Sequence, residues 1–504
     1  MRKKDISFEK FAFAGGLYNY LGTFFSSVLS FFILRLLVQH LAVENYGLYS
    51  LVVATFIFLS LVLNWGVPYV VTRFFSEYVE KKQWGSARRL LSRSYFLILL
   101  SFIPFWIGTR PLARILSEWL RNPEISGYVS FILILSFLRS GIQISENALN
   151  AFLVRKYVVG WGTGLLALRL LLFYAVFRYS GSFVSLLVAW SATELALLAA
   201  YLIKLRLLLL RKGEPQEESA TFEKGIFRFG LSAYANNFLY FLLDTRIDLY
   251  MISHFLNRAV VGWYAFATQL TNLLYSFSPA TVLKSVITPL FVRQYAKTGS
   301  LEEQKFLFRM NCKFQAFILF PVFAISAVLM PSLIPVLFHR DYLTSLPPFW
   351  ILSGLGLIEV VGGPLTTFIW VLKRPDIFIK ASGVASLFWI VASYILTQKW
   401  GMVGTAFASG LSLVLTFIFQ HVLLQRTVRL ETPWKSLGKV ALHACFAGTV
   451  VFSLRNVAAS LVSILTLGST GILIFLLCSF WKKIFDDEER NLLQHAFPIR
   501  FWVF

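Results

Sequence analysis

The chain has 504 residues, of which 57% are hydrophobic and 14% charged, with 51 Phe and 14 Trp. That balance excludes an ordinary soluble protein, which would have no interior for so much apolar surface. The formal net charge of +22 is scattered over short connections, not gathered into a basic domain, so it does not call for a nucleic-acid partner.

Fourteen apolar runs alternate with short charged connections. The first six begin near Gly15, Tyr46, Tyr95, Gly127, Tyr157 and Phe183. Each is about 20 residues or close to it, the length a helix needs to cross hydrocarbon about 30 Å thick. The first run is far too long for the core of a signal peptide, so it is expected to stay as a helix. Residues 1–210 are therefore expected to form an N-terminal lobe of six helices. The stretch RKGEPQEESATFEKG from Arg211 is the only strongly polar segment, and Gly213, Pro215 and its clustered charge mark 211–227 as a linker. Runs near Phe229, Val261, Gln315, Phe349, Ile377 and Met402 give a second six-helix lobe over 228–426. Runs near Val440 and Ala459 leave 427–504 as two extra transmembrane helices and a tail. Ser300 followed by Glu303 has the pattern of a helix N-cap. The connections Thr72–Ser94 and Phe291–Phe314 are amphipathic and are expected to lie along the membrane surface.

Charge gives the orientation. With the N-terminus placed in the cytosol, the inner segments hold 33 Lys and Arg, the outer loops 8, and the apolar runs the other six. Positive charge collects on the cytosolic side of membrane proteins. Both termini and the linker are thus expected in the cytosol, with the basic excess facing anionic lipid headgroups.

The two sets of six helices look alike. Gly15/Gly230, Leu41/Leu256, Gly47/Gly262 and Tyr49/Tyr264 share one offset of 215 residues, and a proline (Pro68, Pro289) followed by an arginine (Arg73, Arg293) closes the second helix of each set. Both sets start on the same side, so the repeat is of the parallel type. The expected fold class is an all-α polytopic membrane protein. About 14 transmembrane helices would form two parallel-repeat six-helix lobes around a central cavity, plus two extra C-terminal helices.

Chemistry by cofactor finds little support. Cys312, Cys445 and Cys478 are scattered, the six histidines form no paired ligand pattern, and no Gly-rich phosphate loop occurs. No metal, no cofactor and no nucleotide hydrolysis are expected. His40 and His254 sit near helix ends, where a ring can reach a carbonyl or water.

Ionisable groups within the apolar runs carry the functional signal. They are Arg35, Arg139, Arg169, Arg246, Lys284 and Lys380, with Glu146, Glu194, Asp244, Asp248 and Glu359. Each costs about 2.5–3.5 kcal/mol at a lipid-facing helix centre, so they cannot all face lipid. Arg35, Lys284 and Lys380 are close enough to helix ends to snorkel; the others must pair or line water. Arg139, Gln143, Glu146, Asn147 and Asn150 make one polar stripe at helical spacing. Asn237, Asp244 and Asp248 share a face of the seventh helix by the same rule, with Arg246 opposite. Asp244 and Asp248, one turn apart, are then a like-charge pair that needs a proton or cation between them.

The segment LAVENYGLYSLVVATFIFLSLVLNWGVPYVVTRFFSEY, Leu41 to Tyr78, together with fourteen helices in two parallel repeats, resembles the polysaccharide flippases. These are the O-antigen (Wzx-type) branch of the multidrug/oligosaccharidyl-lipid/polysaccharide exporter superfamily. The resemblance implies two lobes enclosing a cavity that opens alternately to either face. It implies a polyprenyl-(pyro)phosphate-linked oligosaccharide as substrate, moved from the cytosolic to the outer leaflet of the cell (inner or plasma) membrane. Membrane lipids and polysaccharide-assembly proteins would be its partners. Candidate substrate-binding residues are Arg35, Arg139, Glu146, Arg169, Arg246 and Lys284; Arg35 and Arg246 match the family's central arginines by helix number only. Candidate ion-coupling residues are Asp244, Asp248 and Glu359. The alternatives are a lipid II flippase, an ion-coupled multidrug exporter, whose branch usually has twelve helices, and, more remotely, a polytopic glycosyltransferase or polymerase. That last class typically needs a large outer loop or soluble domain, and no catalytic residues are assigned here.

Overall fold

The computed structural model describes residues 3–210, 225–276, 300–372, 374–487 and 489–490. Among these, every regular element is helical. Ten helices are long and apolar enough to cross a membrane, or eleven if a pair bent by 43° at its break, Arg340–Gly356 and Glu359–Ile369, counts as one span. The chain is a multi-pass membrane protein. The described residues fall into two compact units, Leu17–Gly262 and Trp263–Phe504 with Met1–Gly16.

The first unit holds α1 (Lys3–His40, from Leu17 on), α2 (Val43–Asn64), the short α3 (Val67–Val70) and α4 (Ser76–Glu80), α5 (Trp84–Ile107), α6 (Thr109–Trp119), α7 (Val129–Ala151), α8 (Arg155–Tyr179), α9 (Phe183–Leu210), α10 (Ile226–Phe241) and α11 (Thr245–Phe255), and ends in the first turn of α12 (Arg258–Ser276). Small polar side chains fix the registers. Ser26 Oγ meets Thr163 Oγ1 at 3.2 Å and the His40 ring stacks on Phe177 at 4.8 Å, so α1 and α8 run parallel. Ser136 and Ser140 donate to the carbonyls of Phe56 and Ser60 at 3.0 and 3.3 Å, so α2 and α7 also run parallel. Such bonds join helices where apolar contact alone gives no preference over lipid. His40 and His254 each reach a carbonyl, Leu36 O at 2.9 Å and Trp119 O at 2.6 Å.

The repeat offset reappears as a reciprocal contact. A Cβ on Gly47 would run into the Arg258 carbonyl oxygen, and one on Gly262 into that of Val43. Residues 43 and 258 differ by the same 215 as Gly47 and Gly262. Helices α2 and α12 therefore cross backbone to backbone at their N-terminal ends, which only glycine at both positions permits.

In the second unit, α13 (Leu301–Leu337) starts where the Ser300 hydroxyl accepts the Glu303 amide at 3.3 Å. Then come α14 (Leu346–Gly356) and α15 (Glu359–Val371), the two arms of the bent span, and α16 (Pro375–Gln425). Helix α16 is a hairpin of two crossings: Gly401 has φ 57° and ψ −141°, and Thr397 meets Thr405 while Trp389 meets Ser409 across the reversal. With that hairpin counted twice, the broken α10/α11 and α12 supply the rest of the fourteen apolar runs. The two C-terminal helices, α17 (Trp434–Ser453) and α18 (Leu461–Trp481), pack on α13 through Gly448 against Ala324 and Gly471 against Ile325. Buried Lys313 of α13 pairs with Asp486 at 3.0 Å and Glu489 at 2.8 Å, which ties down the segment after α18.

Candidate functional site: a polar cavity in the first unit

Within Leu17–Gly262 lies a cavity of about 590 Å³. Three elements line it: the end of α2 and the start of α3 (Ile57, Ser60, Leu61, Asn64, Gly66, Pro68, Tyr69, Thr72), the polar stripe of α7 (Arg139, Gln143, Glu146, Asn147), and α10 with the break beyond it (Tyr234, Asn237, Tyr240, Phe241, Asp244, Arg246). The stripe is partly exposed on a helix whose other positions are mostly buried. That is what helical spacing of polar residues in an apolar run requires once they face a cavity.

The α2 wall depends on a helix break. Trp65 and Gly66 both take left-handed backbone, φ 46° and 76°, and Pro68 sits in the first turn of α3. A Cβ on Gly66 would strike the Gly230 carbonyl oxygen, so this turn lies directly against α10. Asn64 donates from Nδ2 to Gln143 Oε1 at 2.7 Å, and Asn147 donates to the Pro68 carbonyl at 3.1 Å.

The α10 wall is also discontinuous, and here the reading from helical phase is corrected. Asp244 is not one turn below Asp248 on a continuous helix. It is the N-cap of α11, with φ −77° and ψ 134°, and its carboxylate accepts the Arg246 backbone amide at 2.9 Å. A carboxylate satisfies the orphan amides of a helix start, so the break is stable where Asp stands. Asp244 also ion-pairs with Arg246 Nη1 at 3.2 Å. Asp248 is fully buried in the first turn of α11, away from the cavity lining.

The cavity thus brings together Arg139, Glu146, Asp244 and Arg246 from the candidates named above. Arg35, Arg169, Asp248 and Glu359 are not among its lining residues. Arg169 of α8 pairs with Glu194 of α9 at 2.6 Å, donates to Thr193 at 3.0 Å and lies over the Trp190 ring. Arg35 is half-buried in α1, and its Nε has no hydrogen-bond partner among the described residues. Glu359 begins α15, in the second unit. Lys284 lies outside the described residues. The sequence reading did not select Asn64, Tyr69, Tyr234 and Tyr240. The Asn-Trp-Gly-Val-Pro run at 64–68 signals the break that presents the first two; the tyrosines of α10 carried no distinguishing mark.

Membrane-crossing helices with a charged cavity between them are the arrangement that the resemblance to the exporter superfamily led one to expect. The chain belongs to the polysaccharide biosynthesis protein family, which it matches over residues 12–294. It is 20% identical over 251 residues to the probable low-salt glycan biosynthesis flippase Agl15 of Haloferax volcanii, covering 49% of this chain and 52% of that protein. It is 23% identical over 204 residues to the lipopolysaccharide biosynthesis protein WzxC of Escherichia coli K12, covering 40% of each. The chain thus spans about half the length of these curated relatives. Its fold is similar to that of the lipid II flippase MurJ in an inward closed conformation, with a TM-score of 0.71 and 14% identity over 95% of this chain and 99% of that one.

Proposed function

We propose that this protein flips a polyprenyl-(pyro)phosphate-linked oligosaccharide from the cytosolic to the outer leaflet of the cell membrane by alternating access, with both termini in the cytosol. The observation that carries this reading is the presence of Arg139 and Arg246, with the carboxylates of Glu146 and Asp244, in one cavity whose remaining polar lining is amides, tyrosines and hydroxyls. Guanidinium groups match phosphate oxygens bidentately. The amides and hydroxyls suit sugar hydroxyls, and a lipid tail needs no polar site because it stays in the bilayer. The family match and the two curated relatives point the same way.

Asp244 is the candidate coupling group. It holds Arg246 at 3.2 Å, so a proton or cation that takes the carboxylate frees the guanidinium for phosphate. Asp248 and Glu359 are retained as secondary candidates and Arg35 and Lys284 as further candidate substrate contacts, whereas the Glu194, Thr193 and Trp190 partners of Arg169 favour a structural role for it. The expected organisation remains two six-helix lobes joined by the 211–227 linker, with two added helices.

The test is reconstitution in liposomes with a fluorescent polyprenyl-pyrophosphate oligosaccharide, reading dithionite-accessible label with time. The wild-type protein should move the lipid, and Arg139→Ala and Arg246→Ala should each slow it more than tenfold while remaining folded. Wild-type rates in both variants would remove the cavity from the substrate path. Movement of lipid II in place of the oligosaccharide lipid would transfer the same site to that substrate.

A further inference from the structure

We propose that the cavity is polarised and that its end formed by Asn64, Tyr69 and Tyr234 is a saccharide subsite, with the phosphates held at the opposite end by Arg139 and Arg246. This rests on the function proposed above.

The polarity follows from the helix registers. Helices α2 and α7 run parallel, with Ser136 beside Phe56 and Asn147 beside Pro68. Helix α10 runs antiparallel to α2, with Phe241 beside Phe58 at 5.9 Å and Tyr234 beside Trp65 at 6.0 Å. Arg139 therefore lies at the level of Leu59, and Asp244 and Arg246 follow Phe241 near the level of Phe58. Gln143, Glu146, Asn147 and Tyr234 gather at the level of Asn64 to Pro68. Along α7 the two ends, Arg139 and Asn147, are about 12 Å apart at the rise of an α-helix.

The second end asks for hydroxyl donors. Asn64 is only 5% exposed, and its Oδ1 is buried with no hydrogen-bond partner among the described residues, while its Nδ2 is already given to Gln143. A buried amide oxygen left unmet costs about 1–3 kcal/mol. It needs a donor, which a sugar hydroxyl is and an ionised phosphate is not. Glu146 stands at the same end, where its carboxylate repels phosphate and accepts from hydroxyls.

This end also offers an aromatic surface. Tyr69 and Tyr234 line the cavity, and Tyr234 is backed by the Trp65 ring at an interplanar angle of 23°. Trp65 is held for this in left-handed backbone, φ 46°. That conformation costs about 1–2 kcal/mol for a residue with a Cβ, and such strain concentrates at functional sites. The electron-rich face of an aromatic ring packs against the polarised C–H face of a pyranose.

The experiment compares binding of two probes to the full-length protein in detergent, polyprenyl-pyrophosphoryl-N-acetylglucosamine and bare polyprenyl pyrophosphate. The wild-type protein should prefer the glycosylated lipid at least tenfold. Tyr234→Ala and Asn64→Leu should bring that ratio close to one. Tyr234→Phe and Asn64→Asp, which keep the ring and the acceptor, should retain most of it and show that the fold tolerates change at these positions. Retention of the wild-type ratio by Tyr234→Ala and Asn64→Leu, or a wild-type protein that binds both lipids equally, would overturn the subsite and leave the flippase reading standing. A wild-type protein that binds neither lipid would instead remove the flippase reading itself.

Discussion

Replacing Arg169 with alanine separates a structural cation from a substrate-binding one. The Arg169 and Glu194 side chains are 14% and 10% exposed and meet at 2.6 Å. Removing Arg169 leaves the Glu194 carboxylate with the Trp190 indole N–H at 3.1 Å as its remaining donor among the described residues. Breaking a buried pair from one side costs about 3–5 kcal/mol, or roughly two to four powers of ten in the folded population. Glu194→Ala should fall at the lower end, because Arg169 keeps the Thr193 hydroxyl at 3.0 Å and the Trp190 face at 5.3 Å. The double variant Arg169→Met/Glu194→Leu carries no unpaired charge and should recover to within about 1 kcal/mol of the wild type, since buried pairs replaced by apolar residues of similar volume are often neutral. Equilibrium unfolding in mixed detergent micelles measures all four corners of the cycle, and liposome flipping per folded molecule measures function. Both single variants should unfold early, and the double variant should be stable and transport normally. An Arg169→Ala protein as stable as the wild type but dead in transport would refute the argument and return Arg169 to the substrate.

Three further outcomes follow from the backbone and the charge pattern. Gly66→Ala should destabilise by at least about 2 kcal/mol, the left-handed φ of 76° and the collision with the Gly230 carbonyl adding together; a wild-type unfolding midpoint would show that α2 and α10 do not meet there. Gly47→Ala and Gly262→Ala should each cost about 1–3 kcal/mol, and the double variant less than their sum because one separation of α2 from α12 relieves both clashes; strict additivity in a double-mutant cycle would argue against a shared crossing. In a background lacking Cys312, Cys445 and Cys478, an impermeant thiol reagent added outside should label a cysteine at Asn257 and miss one at Lys82, both exposed positions; the reverse would invert the proposed topology.

Crossing length, polarity of the loops and the α7 stripe were all readable along the chain, because each depends on spacing within one segment. A helix of known rise fixes how many apolar residues cross a bilayer, and a period of 3.6 puts Arg139, Gln143, Glu146 and Asn147 on one face whatever surrounds them. The offset of 215 residues matched Gly47 with Gly262 along the chain, but that the two helices cross there is seen only in the structure. The same reasoning failed at Asp244 and Asp248, since it assumed an unbroken helix. Asp244 caps a new helix instead, so its phase relative to Asp248 is set by the turn at Leu242–Asp244.

Partnership was decided by the tertiary structure alone. Nothing in the spacing says that Arg169 would find Glu194 on the next helix while Arg139 would be left to a cavity. That depends on which faces of α8 and α9 meet, which is fixed by packing along the whole bundle. Asn64, Tyr69 and Tyr234 join the α7 stripe only because α2 breaks at Trp65 and Gly66 and α10 runs antiparallel beside it. A sequence determines the energetic demand that a buried charge or amide be met, because that demand is local. Which group meets it is a matter of three-dimensional register, and only the folded chain sets that.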